Sequence, residues 1–359
     1  MTRLPLVQAD PRSACPKDMM FGPCGGVGAD GACEVSPVRC TFVDDPVALW
    51  PGDVPVAAGG VLHAPSPAAV ELAELVRARP VVISGLPARA LDADSIRQCA
   101  EILHGTVDAV LAGDSGRARV QLPPAYRAHV IQEAGLRAWM GLSCRDRNRV
   151  ALEGEVAALA DVGVAGVHCV TGDHTLTGTR PDARPVFDME STELVALARR
   201  WGLATSVAES PAAPPVDLRP ARLAQKVAAG GELCFLQYCG DVDDVRRFID
   251  RSREAGVTIG FVPGVPVVID RAGAELLESF AAAVLPPGYV EGILAAPDAY
   301  QAGVAAAIDL SEQLLAIDGV VGVLPAGGPE PGTEVAFAHA LASIGRALGA
   351  GEPLAPRTR

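Results

Sequence analysis

The sequence has few aromatic residues and lacks long apolar runs. Only 4% of its 359 residues are aromatic, although 49% are hydrophobic. No apolar run reaches the ~18 residues that a membrane-spanning helix requires, and the N-terminus has no extended apolar stretch of the kind found in secretory signals. We therefore expect a cytoplasmic protein with no membrane partner.

An excess of positive charge is also missing, since the net charge is −13. Nucleic-acid binding depends on lysine and arginine that neutralise phosphates, so we expect no nucleic-acid partner and favour small-molecule chemistry. The composition, rich in small aliphatic residues, suits a buried parallel sheet wrapped by helices. The length allows one large domain and a small appendage.

The nine cysteines lack the Cys-x-x-Cys spacing of many zinc ribbons. In the cytoplasm we expect them to be thiols or metal ligands rather than disulfides. Four of them fall within 26 residues: Cys15, Cys24, Cys33 and Cys40. This glycine-rich segment has too few apolar residues for its own core, and a bound metal would supply folding free energy. We predict a site of four thiolates for zinc or an iron–sulfur cluster; free thiols in a docked loop are the alternative.

From residue 80 onward, candidate strands and helices alternate. The strands are predicted at 81–84, 107–111, 138–142, 166–170, 202–207, 232–237, 257–262 and 319–323. The helices are predicted near 93–103, 123–134, 149–162, 190–200, 219–229, 242–255, 271–284, 298–316 and 333–348. Eight such units predict an α/β fold, a (β/α)8 TIM barrel. An open doubly wound sheet is the alternative, but no Gly-x-Gly-x-x-Gly turn follows the first strand.

The predicted organisation has three parts. Residues 1–45 form a small cysteine-rich metal-binding segment, residues 46–78 a connector, and residues 79–350 the barrel. The connector is rich in proline and glycine, and a helical pattern runs through residues 67–79 at its end.

Polar residues stand where several predicted strands end. The strand at 167–170 ends at Gly172 and presents Asp173, Ser143 begins a polar run, and Gln237 follows an apolar run. In a barrel, the C-terminal strand ends carry the chemistry, which makes these residues candidates for ligand binding. The simpler interpretations are a helix cap for Asp173, local salt bridges beyond Ser143 and a locally satisfied amide for Gln237.

The cysteine segment resembles a known domain. Cys-Pro-Lys-x-Met-x-x-Gly-Pro-Cys-Gly-Gly, followed by Gly-x-Cys-Glu-Val and a further cysteine, is similar to the cysteine-rich domain associated with methylenetetrahydrofolate reductases. The match spans about residues 13–45. In that family the domain is often C-terminal or lies on a partner subunit, whereas here it is N-terminal.

The barrel motifs resemble the same family between about residues 80 and 325. The matching stretches are Ser-Cys-Arg-Asp-Arg-Asn at 143–148, Val-Thr-Gly-Asp at 170–173, Lys-Val-Ala-Ala-Gly at 226–230 with Gln237, and Pro-Gly at 263–264. The resemblance implies a flavoprotein that reduces 5,10-methylenetetrahydrofolate to 5-methyltetrahydrofolate with FAD. Its partners would be a reduced folate, NAD(P)H or another electron donor, and a partner subunit or a second copy.

The resemblance also implies roles for individual residues. Asp173 would bind folate and tune the flavin, and Gln237 would contact the pterin. The residues expected at the FAD are Ser143, Val170, Thr171, Gly172 and Lys226. From sequence pattern alone, the simplest interpretation of Lys226 is a solvated surface lysine.

The chain departs from the family pattern where a proton donor is expected. The first strand has Ile83 or Ser84 in place of the usual glutamate, so we predict Glu209, at the end of the fifth strand, as a substitute acid. Gly141, Thr171 and Pro214 stand where flavin-contacting histidines and an arginine are common. A folate-binding accessory barrel with a degenerate flavin site is therefore the alternative to a reductase. A flavin or folate enzyme that catalyses a different reaction is the third hypothesis.

Overall fold

The N-terminal segment folds into a small hairpin. A computed structural model describes residues 15–44, 48–52, 54, 63–114, 118–280 and 283–351. Within the first range, β1 (Ala32–Cys33) pairs antiparallel with β2 (Ser36–Arg39), and a 3₁₀ turn at Thr41–Val43 follows. The hairpin pairs Ala32 with Arg39, and the residues that follow them, Cys33 and Cys40, line the same cavity.

Eight parallel strands then close into a barrel, as predicted. They are β3 (Val81–Gly85), β4 (Ala109–Ala112), β5 (Ala138–Ser143), β6 (Gly166–Val170), β7 (Thr205–Glu209), β8 (Leu233–Leu236), β9 (Gly260–Pro266) and β10 (Gly322–Ala326). Each strand pairs with the next, and β10 closes the barrel on β3. The TIM-barrel prediction is confirmed.

The helices surround the barrel. They are α1 (Pro67–Ala78), α2 (Ala93–Leu103), α3 (Pro124–Glu133), α4 (Arg149–Val162), α5 (Ser191–Arg200), α6 (Arg219–Ala228), α7 (Val242–Glu254), α8 (Arg271–Glu278), α9 (Tyr289–Ala295), α10 (Ala299–Leu315) and α11 (Glu334–Ala347). The expected caps are present, because the carboxylates of Asp92 and Asp241 accept hydrogen bonds from Ser95 N and Asp244 N. Within the described residues, no helix has the length and apolarity to cross a bilayer.

Two kinds of boundary differ from the prediction. The helix predicted at 271–284 ends at Glu278, and the separate short helix α9 follows. The strands β7, β9 and β10 begin three residues later than predicted. Gly202 and Gly319, where β7 and β10 were expected to begin, have φ of 75° and 88°, a left-handed conformation that belongs to turns.

Helix α1 closes the N-terminal end of the barrel. Its Leu72 and Leu75 pack in one buried cluster with inward side chains of the strands: Val81, Ile83, Ala109, Trp139, Leu233, Phe235 and Val262. The helical pattern at the end of the predicted connector therefore belongs to an element that packs on the barrel core.

The C-terminal half of the barrel interior is open. Inward-facing residues near the ends of several strands keep partial exposure, whereas Gly141 and Ser143 of β5 are buried. The partly exposed residues, whose outward-facing neighbours are buried, are Gly85, Leu111, His168, Val170, Ala208, Leu324 and Ala326. Four of the seven are glycine, alanine or valine. A barrel interior is ordinarily filled by layers of bulky branched side chains, so these small residues leave space for a ligand.

Candidate active site at the barrel mouth

Asp173 stands at the rim of the mouth, directly after β6. Gly172 has φ of 89°, and a Cβ there would lie 2.9 Å from Ser143 Cβ, so the turn requires glycine. The Asp173 side chain is 57% exposed, and its Oδ2 lies 3.7 Å from Arg119 Nη1. The cap of the following 3₁₀ turn is His174, whose Nδ1 accepts from Leu176 N at 3.2 Å. Asp173 therefore does not cap that turn, and its carboxylate remains available to a ligand.

Gln237 follows β8 with the inward parity of Leu233 and Phe235. Its backbone N–H continues the sheet by donating to Glu209 O at 2.9 Å. The side-chain Oε1 accepts from Tyr238 N at 3.2 Å. Its Nε2 hydrogens have no acceptor among the described residues, as expected of a group that recognises the edge of a heterocycle.

Ser143 is tied to a buried carboxylate that the sequence analysis missed. Asp114 accepts from Ser143 Oγ at 2.6 Å, from Ser143 N at 3.0 Å and from Arg147 Nη1 at 2.9 Å. Burial raises the pKa of Asp114, but Arg147 and Ser143 outweigh burial, and the net pKa is lowered. Asp114 was detectable, because Gly113-Asp114 after β4 repeats the Gly-Asp pattern found after β6.

Two other residues predicted at the flavin are engaged inside the protein. Thr171 Oγ1 accepts from Ser191 N at 3.1 Å, which fixes the start of α5. Lys226 Nζ lies 2.9 Å from Glu209 Oε2, and the lysine is buried rather than solvated at the surface. The polar groups of Ser143, Thr171 and Lys226 therefore do not fit a flavin site, which leaves Val170 and Gly172 at the rim.

A histidine of the kind that contacts flavin in the family has no room at position 141. A Cβ on Gly141 would lie 2.6 Å from Gly113 Cα, because β4 and β5 approach closely there. The glycine is thus required by the backbone packing of this barrel.

Glu209 faces away from the mouth, contrary to the acid role that we predicted. Strand alternation places it on the side of Val207, which packs among the helices, whereas Ser206 faces inward. Its side chain is 1% exposed and pairs with Arg219 at 3.2 Å and Lys226 at 2.9 Å. Burial raises its pKa, but Lys226 and Arg219 outweigh burial and lower it overall. An ionised, outward-facing carboxylate is not placed to donate a proton in the mouth.

The first strand supplies no acid either. Ile83 faces inward in the buried cluster around Trp139 and Phe235. Ser84 faces the helices on the side of Val82, and its buried Oγ has no hydrogen-bond partner among the described residues.

The cysteine segment docks on the barrel through buried charges. Arg219 donates to Cys24 O at 2.9 Å, and Arg222 donates to Phe21 O at 3.1 Å. Glu190 accepts from Met20 N and Phe21 N at 2.9 and 3.2 Å, and it pairs with Arg222 at 2.7 Å. The segment therefore lies against the ends of β6 and β7, beside the mouth.

The sequence analysis did not predict a role for Arg219, Arg222 or Glu190. A signal existed, because Arg219, Arg222 and Lys226 are spaced by three and four residues on α6 and so share one helix face. The pattern identifies a charged face, but it does not reveal that the partners are backbone carbonyls some 200 positions away in the chain.

Cys15, Cys24, Cys33 and Cys40 line one small cavity of about 30 Å³. The backbone N–H of Gly26 donates to Cys24 Sγ at 3.4 Å. Burial raises the pKa of Cys15, backbone N–H groups of Lys17 and Met19 oppose this, and the neighbouring thiols Cys24 and Cys40 raise it further. Four cysteines are a donor set that zinc or an iron–sulfur cluster accepts. Among the described residues, however, no three cysteine, histidine or carboxylate side chains lie close enough to coordinate one ion. The metal site stays a prediction.

Inside the barrel, the structure brings together a group that the sequence did not suggest. His168 Nδ1 lies 2.8 Å from Ser206 Oγ, which also accepts from Trp139 Nε1 at 2.9 Å. The imidazole stacks on Phe235, with ring centroids 5.0 Å apart and an angle of 19°. Burial and the charge of Lys226 lower the pKa of His168 to about 3. The imidazole is therefore neutral at physiological pH.

Family models match two parts of the chain. The model described as "Methylenetetrahydrofolate reductase" matches residues 103–323, more than half of the chain. A second, described as "Methylene-tetrahydrofolate reductase C terminal", matches residues 7–45. No curated protein sequence matches the chain.

Solved structures give matches at low sequence identity. One is an uncharacterized protein from Clostridium thermocellum that "binds two copies of 5-methyl-5,6,7,8-tetrahydrofolic acid". It is 11% identical, with a TM-score of 0.54 over 76% of this chain and 97% of that one. A 2,3-dimethylmalate lyase matches at 13% identity, with a TM-score of 0.44 over 81% of this chain and 91% of that one. The first likeness supports the barrel fold.

Proposed function

The chain belongs to the methylenetetrahydrofolate reductase family, and on that premise we propose that it binds a reduced folate in the mouth of its barrel. We propose further that it acts in the reduction of 5,10-methylenetetrahydrofolate to 5-methyltetrahydrofolate. The observation that carries the proposal is the open upper half of the barrel, with Asp173 and Gln237 at its rim.

The two rim residues complement a pterin chemically. The carboxylate of Asp173 accepts hydrogen bonds from ring N–H and amino groups, and the Gln237 amide donates to ring carbonyl or imine nitrogen atoms. The small inward residues Val170, Ala208 and Ala326 leave room for the flat ring between the strands. The Clostridium thermocellum protein, with a similar fold, binds a reduced folate, and this is consistent with the proposal.

The reduction requires a hydride, which in this family a reduced flavin supplies, and a proton at the folate nitrogen. The hydrogen-bonding groups of Ser143, Thr171 and Lys226 are engaged within the protein rather than directed at a flavin. The chain's own part is to bind and orient the folate. A missing general acid costs roughly 10²–10⁴-fold in rate, so we expect slow turnover with NAD(P)H or another electron donor.

A second candidate function is that of a folate-binding accessory barrel without catalysis of its own. The specific observation that favours it is that neither candidate position for the proton donor places a carboxyl group in the mouth. Glu209 faces α6, and Ile83 is apolar at the position where the family usually has its acid. Folate binding is common to both candidates, whereas turnover belongs to the first alone.

Calorimetry with 5-methyltetrahydrofolate tests the shared part. We expect binding by the wild type and weaker binding by Asp173→Ala and Gln237→Ala. Matched controls are Asp182→Ala, an exposed carboxylate paired with Arg180, and Gln313→Ala, an exposed amide paired with Asp309. Unchanged affinity in both rim variants would contradict the proposed site. The absorbance spectrum of the purified protein, followed by turnover with added flavin, then separates the two candidates.

A further inference from the structure

His168 lies on β6, two residues before Val170, and its side chain faces the barrel axis. It stacks on Phe235 of β8, which places the two rings in one layer of the interior. Gln237 follows Phe235 by two residues, so it lies one layer higher, about 6–7 Å along the strand. A ring held at the rim by Gln237 would therefore have its lower edge above the imidazole.

The hydrogen bonds of Ser206 determine the tautomer of His168. The indole N–H of Trp139 is a donor only, so Ser206 Oγ accepts it at 2.9 Å. The Ser206 hydroxyl hydrogen is then available to His168 Nδ1, 2.8 Å away, and no other acceptor for it is found in the part of the chain that the structure describes. Nδ1 is consequently the acceptor, and the ring proton resides on Nε2.

The Nε2–H group has no protein partner among the described residues. The Nε2 atom is not sealed from solvent, and His168 as a whole is partly exposed. The imidazole therefore offers one neutral donor to the space above it. Because its pKa is about 3, it carries no charge above about pH 4 and cannot replace the missing acid as an imidazolium.

We propose that His168 Nε2–H donates a hydrogen bond to an acceptor on the lower edge of a heteroaromatic ring bound in the mouth. The ring is the bicyclic pterin of a reduced folate, whose carbonyl oxygen and ring nitrogen atoms accept hydrogen bonds. Ser206 and Trp139 are the positioning residues that hold the donor tautomer. This inference rests on the proposed binding of such a ring at the mouth.

Calorimetry with 5-methyltetrahydrofolate tests the donor, and a separate titration with FAD tests whether a flavin ring binds instead. His168→Val removes the donor, and His168→Gln replaces it with an amide donor. Loss of one neutral hydrogen bond weakens binding by about 3- to 10-fold, so we expect that loss in the valine variant and recovery to within about twofold in the glutamine variant. His129→Val, an exposed histidine on α3, is the matched control.

Nitrogen-15 NMR of the six histidines reports the tautomer of each ring and its response to ligand, which a purely structural role of His168 would leave unchanged. The signals absent from His168→Val should show the Nε2–H tautomer, fail to titrate between about pH 5 and 8, and shift when ligand binds. Ser206→Ala should populate the other tautomer and weaken binding.

The outcomes separate this inference from the proposed function. If Asp173→Ala weakens binding but His168→Val does not, the inference is overturned and the folate site stands. An Nδ1–H tautomer in the wild type also overturns the inference alone. If the wild type does not bind 5-methyltetrahydrofolate, the proposed function and the inference both fail.

Discussion

Arg219 of α6 donates a hydrogen bond to the backbone carbonyl of Cys24 at 2.9 Å while its guanidinium pairs with buried Glu209 at 3.2 Å. One side chain thus joins the cysteine segment to the barrel wall. Arg222 repeats the arrangement with Phe21 and Glu190. Because both carboxylates are buried, the docking of the segment and the neutralisation of the barrel wall depend on the same two arginines.

Removal of Arg219 should destabilise the protein strongly. Arg219→Ala leaves Glu209 buried with one cation fewer and leaves the carbonyls of Pro23 and Cys24 without a donor. Breaking a buried ion pair costs on the order of 3–5 kcal/mol, which urea denaturation would measure. The control Arg251→Ala removes an exposed pair with Asp217 and should cost about 0–1 kcal/mol. Equal costs in the two variants would show that the buried pair does not stabilise the fold.

Stability should fall in acid through Glu209 and Glu190. The pKa of each carboxyl is lowered in the folded protein, because the nearby arginines and, for Glu209, Lys226 outweigh burial. A lowered folded pKa contributes stability above the unfolded pKa of about 4.3, and the contribution is lost as pH falls through the folded value. Tm should therefore drop below about pH 4.3, and the drop should be smaller in Glu209→Gln than in the wild type. An identical pH profile in the variant would contradict this.

The four cysteines should bind one metal ion or cluster. Elemental analysis of the purified protein should give zinc or iron, and a chelator should lower Tm because metal-binding free energy contributes to folding. Cys24→Ser and the quadruple Cys→Ser variant should lose the metal. Cys99→Ser, a buried cysteine outside the segment, is the control. Stoichiometry near zero in the wild type would leave the cysteines as free thiols in a docked segment.

A glutamate at position 83 should raise folate reduction. Ile83 faces into the barrel, so the carboxyl of Ile83→Glu would be buried there, and its raised pKa would keep it protonated. An introduced general acid contributes up to about 10²–10⁴-fold in rate. Ser84→Glu is the matched control, since Ser84 faces the helices and should give no gain. Circular dichroism checks that both variants fold; equal rates in folded variants would mean that the proton comes from elsewhere.

Much of the architecture followed from local patterns. Eight apolar runs alternate with helical periodicity, and carboxylates precede α2 and α7, so the number and order of the barrel units were predictable. The cluster of cysteines and the Gly172-Asp173 turn were also predictable, because both depend on residues close together in the chain. Chain-local features of this kind require no knowledge of which strands are neighbours.

The tertiary structure decided which side chains face the mouth. Alternation assigns Glu209 and Ser206 to opposite faces of β7, but only packing against β6 and α6 determines which face is inward. The relay from Trp139 through Ser206 to His168 joins three strands and spans 67 positions, so no local pattern encodes it. The docking of the cysteine segment could not be predicted for the same reason. Arg219 and Arg222 bind backbone carbonyls of that segment, and the positions of these carbonyls depend on the tertiary fold rather than on nearby residue types.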